Sequence, residues 1–364
     1  MLAISSSPRE VGIRRARPFR TAPLALLASL VSLALLVSES ALAAPPGSVP
    51  GPVRVLDVAD YRAYLADGHP ARQGMRRFAA LVGDTDPALR IRVRDDAVPG
   101  TPARQLAALK AGEAGAPALM LVAGTGLAAA VPAFGLLDLP FLVRDEAQAD
   151  ALLDGPFGAA LLARLDKAGL VGLAWWENGF RQISSARGPI LRAADLRGLR
   201  IRVIDEPVFA DTMRALGADP LPLPFSQLRA ALEAGRVDAQ DNFLSQILAG
   251  RLAGVQSSLS LTNHSYGALV LVANAQAWHA LSPASQRRLR EAAVAAGREQ
   301  RALARAGEDA ARAELSRLGM TVHQPAADEL DRMRQLTAPV RERAIHAQAT
   351  ELAPLLRAAG AGRP

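Results

Sequence analysis

The stretch GLRIRV, residues 198–203, sets two arginines on alternate positions beside Ile201 and Val203. In an extended chain successive side chains point to opposite faces, so Ile201 and Val203 line one side while Arg200 and Arg202 share the other. One face is core and the other is positive. A solvated surface strand accounts for such a pattern, because arginine is mostly exposed; so does a strand that turns charge toward a ligand. The surroundings decide between the two.

Apolar extended runs recur along the chain with helical runs between them. VRVLDVA (53–59), RIRVRD (90–95), ALMLVAG (118–124), LVGLAWW (170–176), RIRVI (200–204) and ALVLVAN (268–274) have strand character. Helical periodicity falls at 102–112, 145–153, 156–168, 207–216 and 225–234. Strands alternating with helices predict α/β layers rather than a bundle or a sandwich. The last third differs. Ser282 is a good N-cap with Pro283 at the first helical position, and the pattern then runs on to Gly319. At 1.5 Å per residue such a helix is roughly 54 Å long, enough to brace two domains.

The chain has 364 residues, half of them hydrophobic, which predicts about two domains with sizeable cores. Its first segment stands apart. Arg14, Arg15, Arg17 and Arg20 precede the apolar run APLALLASLVSLALLV and then Ala41-Leu42-Ala43, the three-part pattern of a secretory signal peptide. The run is short for a membrane span of roughly 20 residues. Residues 1–45 are therefore read as signal peptide and tether, cut after Ala43 or Ala44, with Arg14-Arg15 a poor match to a twin-arginine signal. The chain has no cysteine, so an exported protein of this size must rely on its core rather than on disulfides. A periplasmic location follows.

The net charge of +7 is partly the leader's: five arginines and two glutamates precede Ala44, leaving 7 − 5 + 2, or +4. Later basic residues interleave with acids on helix faces, which argues against nucleic acid. The GTGLAA stretch (124–129) follows a strand-like run, but Pro132 and Gly135 cut short the helix that a dinucleotide would need. The five histidines are scattered without metal-ligand spacing, and no G-x-S-x-G elbow occurs. No cofactor, metal site or local catalytic motif is expected.

What remains is a set of polar residues in apolar surroundings: Arg181 in NGFRQISS (178–185), Arg202, Phe225 after Pro-rich turns, Asp238, Gln240 and Asn242 in a polar strand-loop, and His264 in LTNHSYG (261–267). Seven segments stand in one order: FGLLDLPFLVRD (134–145), LLDGPFG (152–158), GLAWWENGFRQISS (172–185), ADLRGLRIRV (194–203), ALGADPLPLPFSQLRAAL (215–232), GRVDAQDNF (235–243) and LTNHSYG. In that order the chain resembles the solute-binding receptors of tripartite ATP-independent periplasmic (TRAP) transporters, dicarboxylate-receptor type. The resemblance covers essentially everything after the leader.

The resemblance implies a two-lobed α/β fold with mixed sheets, crossovers between lobes and the long helix running along both. Lobe I is expected at 46–178 plus 268–305, lobe II at 179–267 plus 306–364. It implies that Arg202 forks onto a substrate carboxylate, that Arg181 helps to bind or close over the ligand, that Asn242 steadies the acid, that Phe225 packs against it and that His264 lies near the cleft. His69 and Thr125 are further candidates at the pocket. A guanidinium suits the first task, because its rigid fork of donors matches a carboxylate. Each residue keeps a plainer alternative: Arg202 could pair with Asp205 or Asp238, Arg181 with another internal acid, Asn242 could cap a turn, Phe225 could be core and His264 purely structural. The usual Gly-Gln-Glu-Asn-Pro run of the family reads Ala239-Gln240-Asp241-Asn242-Phe243 here.

The function implied is that of a monomeric extracytoplasmic receptor, not an enzyme, that closes on a small organic acid and presents it to the TRAP membrane permease subunits. A periplasmic sensor protein or a periplasmic enzyme built from distant residues would share the same sequence features. C4-dicarboxylates, 2-oxo acids, hydroxy acids and sugar acids all offer the carboxylate that Arg202 would read.

Overall fold

The computed structural model describes residues 53–62, 65–96, 99–348 and 351–361. The signal peptide and tether expected at 1–45 lie outside the described residues. The first part of the chain runs β1 (Arg54–Asp60), α1 (Pro70–Thr85), β2 (Leu89–Val93), α2 (Pro102–Ala111), β3 (Leu119–Ala123), α3 (Gly124–Ala128), α4 (Glu146–Leu153), α5 (Pro156–Ala163) and β4 (Leu170–Ser185). The middle runs β5 (Arg200–Val203), α6 (Pro207–Ala215), β6 (Asp219–Pro222), α7 (Phe225–Glu233), β7 (Ala239–Phe243), α8 (Leu244–Ala249) and β8 (Ser258–Asn274). The last part holds α9 (Ala275–His279), α10 (Pro283–Arg317), β9 (Thr321–His323), α11 (Ala327–Leu336), α12 (Ala338–Gln348) and α13 (Ala353–Ala358).

The strands form one mixed sheet in the order β2-β1-β3-β8-β4-β7-β5-β6, with β9 beside β8. Two strands hold its halves together. β4 and β8 are antiparallel over 16 and 17 residues, and the register slips at Gly172/Ala174, at Glu177/Gly179 and again at Arg181/Ile183. Before the slip at Glu177/Gly179 they join β3, β1 and β2; beyond it they join β7, β5 and β6. The α/β two-lobed architecture follows from this plan, each lobe a parallel run of strands capped by the same antiparallel pair.

Each half buries both faces. Around the first, Phe134, Phe157 and Trp175 pack on one side, while Met75, Phe78 and Trp176 pack on the other with α1 and α10. Around the second, Ile201, Val203 and Phe209 share one side, and Leu228, Leu244, Ile247 and Leu315 the other. Ile201 and Val203 thus lie where the alternation of GLRIRV places them. β-Branched and aliphatic residues on both faces are what a sheet covered by helices requires.

α10 is 35 residues long with Ser282 accepting the Ser285 N–H at its start, as expected from the sequence. It touches the first half through Leu289 and Ala296 and the second through Leu315. Close approach over Trp176 needs glycine: a Cβ at Gly74 on α1 or at Gly297 on α10 would lie 2.6 Å or 2.7 Å from the indole. At the crossing, Gln300 bonds both backbone groups of Glu177, accepting its N–H at 2.9 Å and donating to its carbonyl at 2.8 Å. The helix is therefore pinned at the bulge where the halves meet.

The tail divides between the halves. Leu315 and Met333 pack around the second, but Leu352, Leu356 and Ala361 join Phe134 and Phe157 in the first. The assignment of all of 306–364 to lobe II is corrected for the last stretch, because the apolar side chains of α13 meet α5 instead.

Candidate functional site

In open α/β sheets, ligands bind beyond the carboxyl ends of parallel strands. Here those ends are Asp60 on β1, Ala123 on β3, Val203 on β5 and Phe243 on β7, and the hinge residues 177–181 of β4 run beside them. The polar residues singled out in the sequence collect in this belt, though not in a single cluster.

The two arginines of β5 differ. Arg200 is exposed and forks onto Asp238 at 2.9 and 2.7 Å, so one of the two internal acids considered for Arg202 is engaged by its neighbour. Arg202 is buried, and its Nε donates to the carbonyl of Leu223 at 2.8 Å, just past the end of β6. That bond fixes the guanidinium at the carboxyl end of the β5–β6 pair. Arg202 stands opposite Gln240, and Gln240 opposite Ser184. Asn242, two residues on, shares that face. Asn242 is buried and its Oδ1 accepts the N–H of Phe243 at 3.1 Å. Phe225 begins α7 against the same side, half-buried, with its ring 3.1 Å from where a Cβ of Gly250 would be.

Arg181 leaves the opposite face. It lies across from Phe243, and its Nε meets Asp241 Oδ2 at 2.5 Å while Nη2 donates to the Asp241 carbonyl at 2.6 Å. Its guanidinium carbon is 4.9 Å from the ring centroids of both Phe209 and Phe243, a double cation–π contact. His264 completes the group: Nε2 lies 3.3 Å from Asp241 Oδ2 and Nδ1 2.8 Å from Thr262 Oγ1. Burial alone would raise the Asp241 carboxyl, but the Arg181 charge and the His264 bond outweigh it and hold it well below the usual range. The structure thus brings Arg181 and His264 together through an acid that the sequence reading left out, and keeps Arg202, Asn242 and Phe225 on the other face.

Further groups line the first half of the belt. Arg62, after β1, forks onto Asp60 at 2.8 and 2.9 Å and donates to Asn178 Oδ1 at 2.8 Å, so it ties β1 to the hinge. Thr125 is half-buried at the start of α3, directly after β3. Asp138 is buried beside it: a Cβ on Gly124 would lie 3.9 Å from its Oδ2. Desolvation pushes the Asp138 carboxyl up to about 8, against the pull of Arg181 and with the push of Glu206. His69 caps α1, its Nδ1 accepting the Ala71 N–H at 3.1 Å, and burial with the Arg62 and Arg72 charges lowers its pKa to about 3.

His69 also lines a cleft of about 710 Å³ that straddles the two halves. Its walls come from α1 (Pro70, Gln73), α8 (Leu244, Ser245) and α10 (Leu303, Glu308), and its floor is Glu177 and Asn178. Glu308 accepts the N–H of Phe180, and burial lifts its carboxyl to about 7. Of the residues expected at the pocket, His69 alone lines this cleft.

Asp138, Asp241, Phe209 and Asn178 escaped the sequence reading. Asp241 sat in plain view in the polar run AQDNF; an acid facing a buried arginine across a ladder is legible only once the register is known.

The family described as "Bacterial extracellular solute-binding protein, family 7" (DctP) matches residues 62–348. The 2,3-diketo-L-gulonate-binding periplasmic protein YiaO of Escherichia coli (strain K12) is 41% identical over 172 residues, 47% of this chain and 52% of that protein. The chain thus spans about half the length of that curated relative. Solved structures match over more of their length. A TRAP periplasmic solute binding protein from Ochrobactrum anthropi is 32% identical with a TM-score of 0.78, covering 85% of this chain and 95% of its own. The sugar acid binding protein DctPAm from Advenella mimigardefordensis strain DPN7T, in complex with galactonate, is 30% identical with a TM-score of 0.77, covering 86% and 99%.

Proposed function

Since the chain belongs to family 7 of the bacterial extracellular solute-binding proteins, we propose that it is a periplasmic receptor that binds a small organic acid between the halves of its sheet. It delivers that acid to a TRAP-type membrane permease and performs no chemistry on it. The observation that carries this reading is Arg202, a buried guanidinium held by a backbone carbonyl at the carboxyl ends of β5 and β6. The planar guanidinium offers a rigid fork of donors, and a carboxylate matches it in both charge and geometry.

Asn242 stands on the same face and steadies the acid, with Phe225 packed behind. Arg181, held by Asp241, acts as a fixed charge that shapes the belt, and His264 orients Asp241. Thr125 and His69 approach from the first half, so that a solute touching both halves favours the closed form. Export by the amino-terminal leader, and action as a monomer, complete the proposal. Among the described residues, no helix is long and apolar enough to cross a membrane.

Native mass spectrometry of protein purified without added ligand, followed by a thermal-shift screen of organic acids, tests the reading. A ligand at 100 times its Kd stabilises by about 2.7 kcal/mol. An acid should co-purify or raise the melting temperature; a panel of mono- and dicarboxylates with no effect would remove the receptor assignment, and turnover of a bound acid would make the protein an enzyme.

A further inference from the structure

The cleft that straddles the halves takes one wall from each. α1, packed on the first half, contributes Pro70 and Gln73, and α8, packed on the second, contributes Leu244 and Leu248. The third wall is α10, and from it Glu308 meets the bulge of β4. Its carboxylate accepts the Phe180 N–H and lies so close to Gly179 that a Cβ there, at φ of +92°, would stand 2.4 Å from Oε1. The contact falls at the Glu177/Gly179 register slip, where β4 passes from one half to the other.

The charged groups around Glu308 do little to favour its ionised form. Glu177 on β4, Glu146 on α4 and Asp309 on α10 all oppose it. Arg305 on α10 is engaged by Glu177 and Asp150. His69, at the start of α1, is kept neutral by burial and by the Arg62 and Arg72 charges. Arg251, just past α8, is the one permanent cation among the lining residues. Burial comes first among the causes that lift the Glu308 carboxyl from 4.5 to about 7.

That burial is supplied by walls belonging to different halves. Pro70 on one side and Leu244 and Leu248 on the other shield the carboxyl only while α1 and α8 stay close. Widening the cleft hydrates Glu308 and returns its carboxyl toward the ordinary 4.5. The narrow form therefore holds the proton more tightly than the wide one, and the form that binds more protons gains as pH falls.

We propose that Glu308 is a proton latch at the hinge: neutral, it lets the α1 and α8 walls draw together; ionised, it takes up water and holds them apart, so that acidity closes the molecule. The latch acts on the hinge itself and needs no solute.

The chain has no cysteine, so spin labels can be placed without side reactions. Asp84→Cys on α1 and Ala234→Cys at the end of α7, both exposed, put one label on each half. Double electron–electron resonance at pH 6 and pH 8 then reads the separation. The ratio of short to long separations should rise roughly tenfold from pH 8 to pH 6, the linkage expected of one such carboxyl. Glu308→Gln keeps an acceptor for the Phe180 N–H without the charge, and at both pH values should be at least as closed as the wild type at pH 6. Should Glu308→Gln fail to fold, ¹³C NMR of the wild-type Glu308 carboxyl carbon decides, because the latch requires it to titrate near 7 rather than 4.5. Coincident distributions at the two pH values, a shift that survives in Glu308→Gln, or a carboxyl that titrates near 4.5 overturns this inference and leaves the receptor reading untouched.

Discussion

Arg181 and Asp241 lie across the β4–β7 ladder with Nε and Oδ2 2.5 Å apart, both side chains within 1% of full burial, and two phenylalanine rings flank the guanidinium. The pair is thus an internal, desolvated ion pair between β4 and β7. Removing one partner of such a pair leaves an uncompensated charge, which costs about 3–5 kcal/mol, whereas replacing both by apolar groups is often neutral. Asp241→Asn should therefore lower the unfolding free energy in urea by that amount, and the double change Arg181→Met with Asp241→Leu should recover most of it. A loss below about 1 kcal/mol for Asp241→Asn would show that water reaches the pair.

Asp138 gives a stability signature independent of any ligand. Its carboxyl is raised from 3.8 to about 8 in the folded protein, chiefly by desolvation. Below pH 4 both folded and unfolded states hold the proton; as pH rises toward 8 only the unfolded state releases it, so folding loses stability across that window. The melting temperature of the wild type should fall relative to Asp138→Asn between about pH 4 and pH 8, a difference on the order of a few kcal/mol. Parallel curves for the two proteins would place Asp138 in contact with water.

The hinge has a backbone requirement. Gly179 has φ of +92°, and a Cβ there would stand 2.4 Å from Glu308 Oε1. Gly179→Ala combines a conformation that costs roughly 1–2 kcal/mol for an L-residue with a clash against the carboxylate that accepts the Phe180 N–H. Adding Glu308→Ala should relieve the clash and leave the backbone cost. Urea midpoints of the single and double variants should separate; identical wild-type and Gly179→Ala midpoints would contradict the hinge geometry.

α10 couples the halves through Gln300, which satisfies both backbone groups of Glu177. Gln300→Leu leaves two buried main-chain groups without partners, at about 1–3 kcal/mol each. Amide hydrogen exchange at Glu177 should accelerate in step with that loss; unchanged protection would mean that another group takes over.

How far the sequence reaches can be followed residue by residue. Ile201, Val203 and the cap at Ser282 were legible because alternation and capping are local. The far halves of β4 and β8 were not. Residues 177–185 and 258–267 are polar, with Gly179 and Gly267 among them, and their extended form is imposed by pairing with each other and with β7. β6 reads DPLP, and its two prolines are tolerated because it is an edge strand. β7, AQDNF, is buried throughout despite its polarity, since its side chains bond across the sheet rather than to water. Of the site, the arginines were visible as charge among apolar residues, but that Arg181 has its acid at Asp241 depends on register, and that Asp138 faces it depends on the crossing at Ser265. Both are tertiary facts.

The central claim is that Arg202 anchors the solute's carboxylate, and calorimetric titration of Arg202→Lys beside the wild type, using whichever acid the screen identifies, tests it most directly. Lysine keeps the charge but lacks the planar fork, so affinity should drop by roughly 30-fold or more, about 2 kcal/mol, with the melting temperature of the unliganded protein near that of the wild type. Equal affinity in a normally folded Arg202→Lys protein would contradict the account.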